Sequence, residues 1–548
     1  MSALRGPSRG TANRRGPGRA PSRDRSRQGR FDGLAIGPRL RDLRQRPAPG
    51  QRLRTLRMSD PWFAGIVVLW ATAIAAASAT QEWQLLATLV WVPGFALLFM
   101  QWPIIGTTML FGLWTLAPLF RRLLDLATPS TGPDILSLTP FMATISVAIL
   151  AYRRYRPPTA VNVVVGMVLL GFLTGSVTGF TAPFALLFGL FAYCSAVLGV
   201  YVGYANGRDR VFTLEQMLLP MVLIASVYGV YQGLSSRLPV WDQLWLLTTN
   251  FGSVGTKEGG NFRVFSVLNS PYTYASLVAV YLAVLFVSKR VTTLRLITVV
   301  LALMGIFLTQ SRGAWVSVLG GLVLITFFTG GRALPRLIGL AVTLIGMYAA
   351  LGSTPAGTVV VQRAASVGAG ANDKSGSDRI TAITTLGPPA LIAPVGSGIG
   401  SVGAASDLNP NPKASLVDNG YLIMLVQVGP FGWLLIAFGI GGMVWLVVRG
   451  TDVQQRRDLL PLLAPVGVYV PLSFFSETLY GLPGFILFYA LGEALGRRHT
   501  NTDLVRADSV EAFDRMDRPW MPTGPEATAG GGGAGGASPV PAALGQRP

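Results

Sequence analysis

Four charged residues lie beside long apolar runs or in the connections between them, where they could support chemistry. Arg263 precedes an apolar run that begins at about Ser270, and Arg312 stands at a short break between two such runs. Arg379 lies in a long connection, and Asp418 ends that connection just before the next apolar run. An arginine guanidinium is planar, stays charged and donates paired hydrogen bonds to phosphate or diphosphate oxygens. A carboxylate such as Asp418 can take the proton from an attacking hydroxyl.

Each of these residues also fits a structural role. Arg312 fits an interfacial anchor whose guanidinium reaches the lipid headgroups. Arg263 and Arg379 fit loop residues engaged in salt bridges. Asp418 fits an N-cap that accepts hydrogen bonds from the free N–H groups of the following helix. Chemistry therefore requires that the fold bring these side chains together.

Smaller neighbours extend the candidate site. Ser311 precedes Arg312, and Asn419 and Tyr421 follow Asp418. Gly398 lies in the run Gly396-Ser-Gly-Ile-Gly400, which is too loose for a nucleotide-binding loop. Glycine backbone can approach a ligand closely, so Gly398 is included as a secondary position.

The elements that must position these residues are membrane helices. The 548 residues are 51% hydrophobic and 13% charged, whereas soluble domains carry about a quarter charged residues. Apolar runs of about 17–25 residues, long enough to cross a bilayer, recur along the chain. The sequence predicts an all-α polytopic membrane protein with about 12–14 transmembrane helices and no soluble catalytic domain. The candidate spans are 61–80, 84–100, 103–120, 135–152, 160–177, 182–205, 212–233, 270–288, 293–310, 313–329, 335–353, 419–447, 459–475 and 481–496.

The distribution of basic residues predicts the orientation of these spans. Cytoplasmic connections are enriched in Lys and Arg. With the Arg-rich N-terminal tail inside, six alternate connections are basic. Their residues are Arg153, Arg154, Arg156, Arg208, Arg210, Lys289, Arg290, Arg295, Arg332, Arg336, Arg449, Arg456, Arg457, Arg497 and Arg498. Both termini are then cytoplasmic, and the long connections 234–269 and 354–418 are extracytoplasmic, the second lying before the last three helices.

Three regions follow from composition. Residues 1–57 hold 16 Arg and 3 Asp and predict a disordered cytoplasmic arm attracted to anionic lipid; no base-stacking motif points to nucleic acid. Residues 58–498 form the transmembrane domain, and residues 499–548 predict a disordered Gly/Ala/Pro-rich tail. Cys194 and His499 are the only cysteine and histidine, so a disulfide within the chain and metal sites built on Cys or His are excluded. We expect no metal and no cofactor.

Several motifs in fixed order resemble the O-antigen ligase and polymerase superfamily of bacterial envelope proteins. They are Arg263 with Pro271 at a helix entry, the turn Ser311-Arg312-Gly313, and a long outward loop. That loop contains Arg379 and the stretch Pro394 to Gly400, and it ends in Asp418-Asn419-Gly-Tyr421, with Gln427 to Gly432 downstream. These motifs cover about residues 260–435.

The resemblance implies a glycan transfer from an undecaprenyl-diphosphate carrier to an acceptor hydroxyl at the outer face of the bacterial plasma membrane. It assigns diphosphate binding to Arg263, Arg312 and Arg379. Ligases of the family carry a histidine where Asp418 stands, and members often carry asparagine where Tyr272 stands. We therefore expect a polymerase of exopolysaccharide or capsule, or a ligase with Asp418 as base, rather than a lipid A ligase. The implied partners are the undecaprenyl-diphosphate-linked oligosaccharide, an acceptor glycan, membrane lipid and a chain-length regulator.

Two other classes of function stay open. A transporter or lipid-carrier flippase would have a similar number of helices, but it predicts charges or broken helices at mid-membrane and an internal repeat. The predicted spans are almost free of ionisable residues, with Glu215 and Glu493 near their ends, and no repeat is clear. A non-catalytic scaffold for envelope assembly needs no arginine at the depth of a lipid phosphate.

Overall fold

The described part of the chain is built from helices. The computed structural model describes residues 83–127, 135–209, 213–235, 237–249, 254–255, 262–288, 292–329, 374–414, 417–451 and 453–516, with scattered positions between 335 and 349. No strand occurs among these residues. Within them, seven helices are long and apolar enough to cross a membrane, and three shorter helices are also apolar. The predicted all-α polytopic membrane fold is confirmed.

The helices are numbered in chain order. They are α1 Trp83–Gln101, α2 Pro103–Ala127, α3 Thr139–Tyr155, α4 Thr159–Thr174, α5 Pro183–Asp209, α6 Leu214–Leu234, α7 Val240–Thr249, α8 Pro271–Val287, α9 Thr293–Leu308, α10 Arg312–Thr329, α11 Lys374–Ile392, α12 Gly420–Val448, α13 Val453–Leu472 and α14 Gly481–Met516. Short 3-10 turns span Leu136–Leu138 and Ala404–Leu408, and a one-turn helix spans Ser176–Gly179. Twelve of these helices fall on predicted spans. The span at 61–80 and most of the span at 335–353 lie outside the described residues.

Glycines bring α5 and α14 into close backbone contact. Gly199, Gly203 and Gly207 recur every four residues and therefore share one face of α5. A Cβ on Gly203 would lie 2.0 Å from the Tyr489 carbonyl oxygen of α14. From the other side, a Cβ on Gly492 would lie 2.0 Å from a carbonyl oxygen of α5. Small residues allow membrane helices to approach in this way, and dispersion contacts along the seam then hold the pair together.

The helix that follows Asp418 is broken in its middle. In α12, Gly429 has a φ of 71°, and the Pro430 that follows it has no N–H to donate to the Val426 carbonyl. That carbonyl accepts a hydrogen bond from the Ser397 N–H at 2.7 Å instead. The neighbouring Gln427 carbonyl accepts from the Gly398 N–H at 3.1 Å. The glycine-rich segment thus replaces the hydrogen bonds that the break removes.

The two connections predicted to be outward each contain a helix. In the first, α7 packs against α2, and in the second, α11 packs against α12. At the C-terminal end, α14 continues to Met516, past the predicted boundary at residue 498. The reason is composition, because residues 497–516 contain neither proline nor glycine, and the Gly/Pro-rich sequence starts at Pro519. Residues 517–548 and 1–57 lie outside the described part of the chain.

Candidate functional site

The entry of α8 presents Tyr272 to Asp418. The Ser270 hydroxyl caps the helix by accepting the Tyr272 N–H at 3.2 Å, and Pro271 occupies the first helical position, where a missing N–H is harmless. The Tyr272 hydroxyl then donates a hydrogen bond to Asp418 Oδ2 at 3.2 Å. The helix start expected near Ser270 is therefore also the element that contacts the candidate base.

Asp418 does not cap α12. The cap is Asn419, whose side chain accepts the Leu422 N–H at 3.1 Å. Gly420 follows in a tight position, because a Cβ there would lie 2.5 Å from the Ser476 carbonyl oxygen. With Asn419 acting as the cap, the Asp418 carboxylate remains available to Tyr272 and Arg379, and its side chain is 40% exposed.

Arg379 of α11 lies against this carboxylate. Its Nη2 is 3.6 Å from Asp418 Oδ2, so the salt bridge considered from the sequence is present, although long. Its guanidinium stacks over the Phe475 ring at 5.4 Å from the ring centre. Its Nε is buried and has no acceptor among the described residues. Arg379 therefore keeps an unused donor beside the exposed carboxylate.

Arg263 joins the same group of charges. Its N–H donates to the Val254 carbonyl at 2.8 Å, and its side chain is partly exposed. The charges of Asp418, Arg263 and Arg379 all act on the Tyr272 hydroxyl. Tyr272 is thus the residue around which these three predicted site residues gather.

The segment that precedes Arg312 is hydrogen-bonded to the residues on either side of Arg263. The Gln310 side chain donates from Nε2 to the Phe262 carbonyl at 3.0 Å. The Val264 N–H donates to the Leu308 carbonyl at 3.2 Å. These bonds join residues that flank Arg263 to residues that precede Arg312 at the start of α10, and so they hold the two segments side by side.

The turn before α10 is tightly packed. Gln310 adopts a left-handed conformation, with a φ of 52°. Ser311 is buried, and its hydroxyl has no partner in the described part of the chain. Gly313 is required next to Phe475, because a Cβ there would lie 2.4 Å from the Phe475 Cβ. Phe475 therefore contacts both the Arg312 turn and the Arg379 guanidinium.

The remaining secondary positions, Gly398 and Tyr421, make contacts of a different kind. Gly398, with a φ of 99°, packs so closely on Gly179 that an added Cβ would lie 2.6 Å from the Gly179 Cα. Its need for glycine is explained by packing around the break in α12. The Tyr421 hydroxyl donates to the Val470 carbonyl at 2.7 Å. Tyr421 lines a cavity rather than contacting Asp418.

That cavity has a volume of about 120 Å³ and lies between α12, α13 and the connection to α14. It starts at Gly420, two residues after Asp418, and extends along α12 to Ile440. Apolar side chains form most of its wall. They include Met424, Trp433, Ile436, Ala437, Ile440, Val466, Val470, Leu479 and Leu487. A hydrocarbon-lined cavity therefore adjoins the polar cluster.

Glu477 adds a second carboxylate at the wall of this cavity. It accepts hydrogen bonds from the Tyr193 hydroxyl and, at 3.3 Å, from the Ala404 N–H. Burial raises the pKa of Glu477 from 4.5 to about 7, although these hydrogen bonds favour its charged form. Glu477 lies in the connection between α13 and α14 and approaches the start of α12, with its Cα 3.3 Å from where a Cβ on Gly420 would be.

Tyr272 and Glu477 were not among the site residues predicted from the sequence. Tyr272 stood out only as a departure from the family pattern. Glu477 had a weaker signal, as the one acidic residue in the short connection between the last two predicted spans. Neither signal indicates which distant residue the side chain contacts.

The family model described as O-antigen ligase matches residues 297–437. This segment runs from α9 into α12 and contains Arg312, Arg379 and Asp418, whereas Arg263 precedes it. No curated protein matches the chain.

Proposed function

We propose that this chain transfers glycan units from a polyprenyl-diphosphate carrier to an acceptor hydroxyl. The premise is the match of residues 297–437 to the O-antigen ligase family model, which supports the O-antigen ligase and polymerase superfamily as the family of this chain. The donor is an undecaprenyl-diphosphate-linked oligosaccharide, and the product is a polymer of exopolysaccharide, capsule or O-antigen type. The reaction takes place at the outer face of the bacterial plasma membrane, with both termini of the chain in the cytoplasm and a chain-length regulator as a further partner.

The observation that carries this proposal is the group of side chains around Tyr272. Asp418 accepts the Tyr272 hydrogen bond and pairs with Arg379, and the charge of Arg263 acts on the same hydroxyl. The Arg312 turn is hydrogen-bonded to the segment of Arg263. A diphosphate needs several donors, and the Arg379 Nε and the Ser311 hydroxyl are buried without partners in the described part of the chain. Buried polar groups normally have partners, so these two groups fit donors that serve a ligand.

The apolar cavity supports a lipid-borne donor. It begins beside the start of α12 and is lined largely by hydrocarbon along α12 and α13. A polyprenyl diphosphate requires this combination, because its head needs cations and its tail gains free energy only by leaving water. We place the first isoprene units of the donor in this cavity and the diphosphate among the arginines.

The proposed mechanism is an inverting displacement without metal. Asp418 accepts the proton of the acceptor hydroxyl, and the hydroxyl oxygen forms a bond to the anomeric carbon from the face opposite the diphosphate. The bond from that carbon to the diphosphate oxygen breaks, and its electron pair leaves with the diphosphate. Arg263 and Arg312 stabilise the charge that develops there, because preorganised donors act most strongly on charge that grows in the transition state. The Tyr272 hydrogen bond orients the Asp418 carboxylate.

One feature of the fold would also suit a transporter, because α12 is long enough to cross a membrane and is broken in its middle. In transporters, such breaks expose carbonyls to a substrate or an ion. Here the carbonyls of Val426 and Gln427 bind the N–H groups of Ser397 and Gly398. Because protein groups occupy them, glycan transfer remains the better-supported function.

The proposal is tested in cells that make the polymer. The variants Arg263→Ala, Arg312→Lys and Asp418→Asn should each abolish or strongly reduce polymer while the protein accumulates normally in the membrane. Arg237→Ala and Asp407→Asn are matched controls, because each removes a charge of the same sign from an exposed side chain outside the group around Tyr272. Normal polymer from all three variants at normal protein levels would rule out the proposed function.

A further inference from the structure

A second arginine–aspartate pair lies beneath the segment that carries Arg263. Arg122 of α2 and Asp242 of α7 are 2.5 Å apart between Nη1 and Oδ1, and both side chains are fully buried. The Arg122 guanidinium also lies over the rings of Trp245 and Phe265, at 5.6 Å and 5.0 Å from their centres. The pair is therefore enclosed by protein on every side that the structure describes.

Arg122 Nε donates to the Pro118 carbonyl of its own helix at 3.2 Å, whereas Arg122 Nη2 donates to one short segment of the chain. Arg122 Nη2 donates to the carbonyls of Ser266 at 3.0 Å and Leu268 at 3.4 Å. The Gln232 amide donates from Nε2 to Asp242 at 2.6 Å, and its Oε1 accepts the Ser266 N–H at 2.7 Å. Tyr228 donates to the second Asp242 oxygen at 2.8 Å. Ser266 is thus held at both its N–H and its carbonyl.

Ser266 needs such support. Its φ of 59° lies in the left-handed region, which side chains other than glycine adopt rarely. Ser266 stands three residues after Arg263 and four before Ser270, the cap of α8. The conformation at Ser266 therefore sets how Arg263 and Tyr272 are placed relative to each other.

Stability alone does not account for a pair of this kind. Apolar residues of similar volume are often as stabilising as a buried ion pair, because removing two charges from water is costly. What apolar residues cannot supply is a directed donor to two carbonyls. We propose that the Arg122–Asp242 pair is a positioning device that fixes residues 265–268 and thereby holds Arg263 and Tyr272 in place for the lipid diphosphate. The inference rests on the proposed function of that site.

The experiment measures binding of farnesyl diphosphate to the purified full-length protein in detergent, by calorimetry. The double variant Arg122→Met/Asp242→Leu replaces the pair with apolar residues and removes the hydrogen bonds that Arg122 donates to the carbonyls of Ser266 and Leu268. We expect its dissociation constant to rise about tenfold, the equivalent of one hydrogen bond to a charged group, while its unfolding temperature stays near that of the wild type. Arg121→Met is the matched control, since Arg121 is on the same helix and pairs with Asp125 instead.

Combining the double variant with Arg263→Ala distinguishes an effect on the position of Arg263 from a general loss of rigidity. If the pair acts through Arg263, the double variant should add little further loss of binding in the Arg263→Ala background. Full additivity, or wild-type affinity in the double variant, would overturn the inference while leaving the proposed function intact. Unchanged affinity in Arg263→Ala alone would contradict the proposed function and the inference with it.

A further variant covers the case in which the double variant does not fold. Gln232→Met leaves the ion pair in place and removes both hydrogen bonds of Gln232 to Ser266. Gln232→Met should weaken binding of farnesyl diphosphate in the wild-type background and add little further loss in the Arg263→Ala background. Wild-type affinity in Gln232→Met, together with failure of the double variant to fold, would indicate a purely structural pair and overturn the inference.

Discussion

Two arginine–aspartate pairs contact the segment from Ser266 to Tyr272 and differ in almost every physical respect. Arg122 and Asp242 are 2.5 Å apart, fully buried and hydrogen-bonded to further groups. Arg379 and Asp418 are 3.6 Å apart, with side chains 23% and 40% exposed, and the Arg379 Nε has no acceptor among the described residues. The first pair uses its hydrogen-bonding capacity within the protein, whereas the second keeps part of its capacity for something outside it.

The difference indicates where function lies. A buried charge without partners is costly, so a pair that supports the fold must be fully satisfied. A pair that binds substrate must instead remain partly open, because its donors and acceptors have to be exchanged during each turnover. Variants of these pairs and of the groups beside them test this contrast, beginning with the largest expected effect.

Asp418→Asn should reduce glycan transfer by about 10²–10⁴-fold, because the amide cannot accept the proton of the acceptor hydroxyl. The unfolding temperature should stay close to that of the wild type, since the open pair contributes little to stability. The measurement compares transfer rate and thermal unfolding on the same membrane preparation. A large drop in unfolding temperature with proportional loss of transfer would place Asp418 among the structural residues.

Asp242→Ala should lower the free energy of unfolding by about 3–5 kcal/mol, because it leaves the Arg122 charge buried without its partner. Arg379→Ala should cost about 1 kcal/mol or less, since its pair is partly exposed. Denaturant unfolding of the purified variants in detergent gives both values. Equal losses of stability would remove the distinction between the two pairs.

Glu477 should make stability depend on pH. Its pKa is 4.5 in a solvent-exposed state and about 7 in the folded protein, so the folded state binds the proton more tightly. The contribution of Glu477 to the free energy of unfolding is therefore fully present below about pH 4.5 and is lost as the pH rises through about 7. Glu477→Gln should flatten this dependence in thermal unfolding scans. A decline of the same size in the variant would assign it to another group.

Asn419→Ala should lower stability by about 1 kcal/mol through loss of the cap of α12, with the proton-accepting group left intact. Adjacent residues then separate the two functions, because Asp418 affects transfer and Asn419 affects stability. The readout is denaturant unfolding alongside the transfer rate. Loss of transfer without loss of stability in Asn419→Ala would reverse this assignment.

The sequence predicts the helices well, since apolar length and flanking signals are local. The start of α8 is an example, because Ser270 and Pro271 have local preferences that place the cap and the first turn. At Asp418-Asn419, local preference fails, since both residue types cap helices about equally well. The hydrogen bond from the Leu422 N–H to the Asn419 side chain, which only the folded structure shows, identifies Asn419 as the cap.

The candidate site was only partly predictable, because its contacts join distant parts of the chain. The hydrogen bond from Gln310 to Phe262 spans 48 residues, and the one from Tyr272 to Asp418 spans 146. No local pattern encodes such pairings. The Arg122–Asp242 pair shows the same limit, because its partners are 120 residues apart and each looks like an ordinary boundary charge in the sequence.

The central claim is that the open cluster of arginines and Asp418 receives a lipid-borne diphosphate. The most direct measurement is release of undecaprenyl diphosphate from a lipid-linked oligosaccharide by the protein reconstituted in liposomes. We predict release that requires an acceptor glycan and that is lost in Arg263→Ala and Arg312→Lys but retained in Arg237→Ala. Release that is unchanged in Arg263→Ala and Arg312→Lys would contradict the claim.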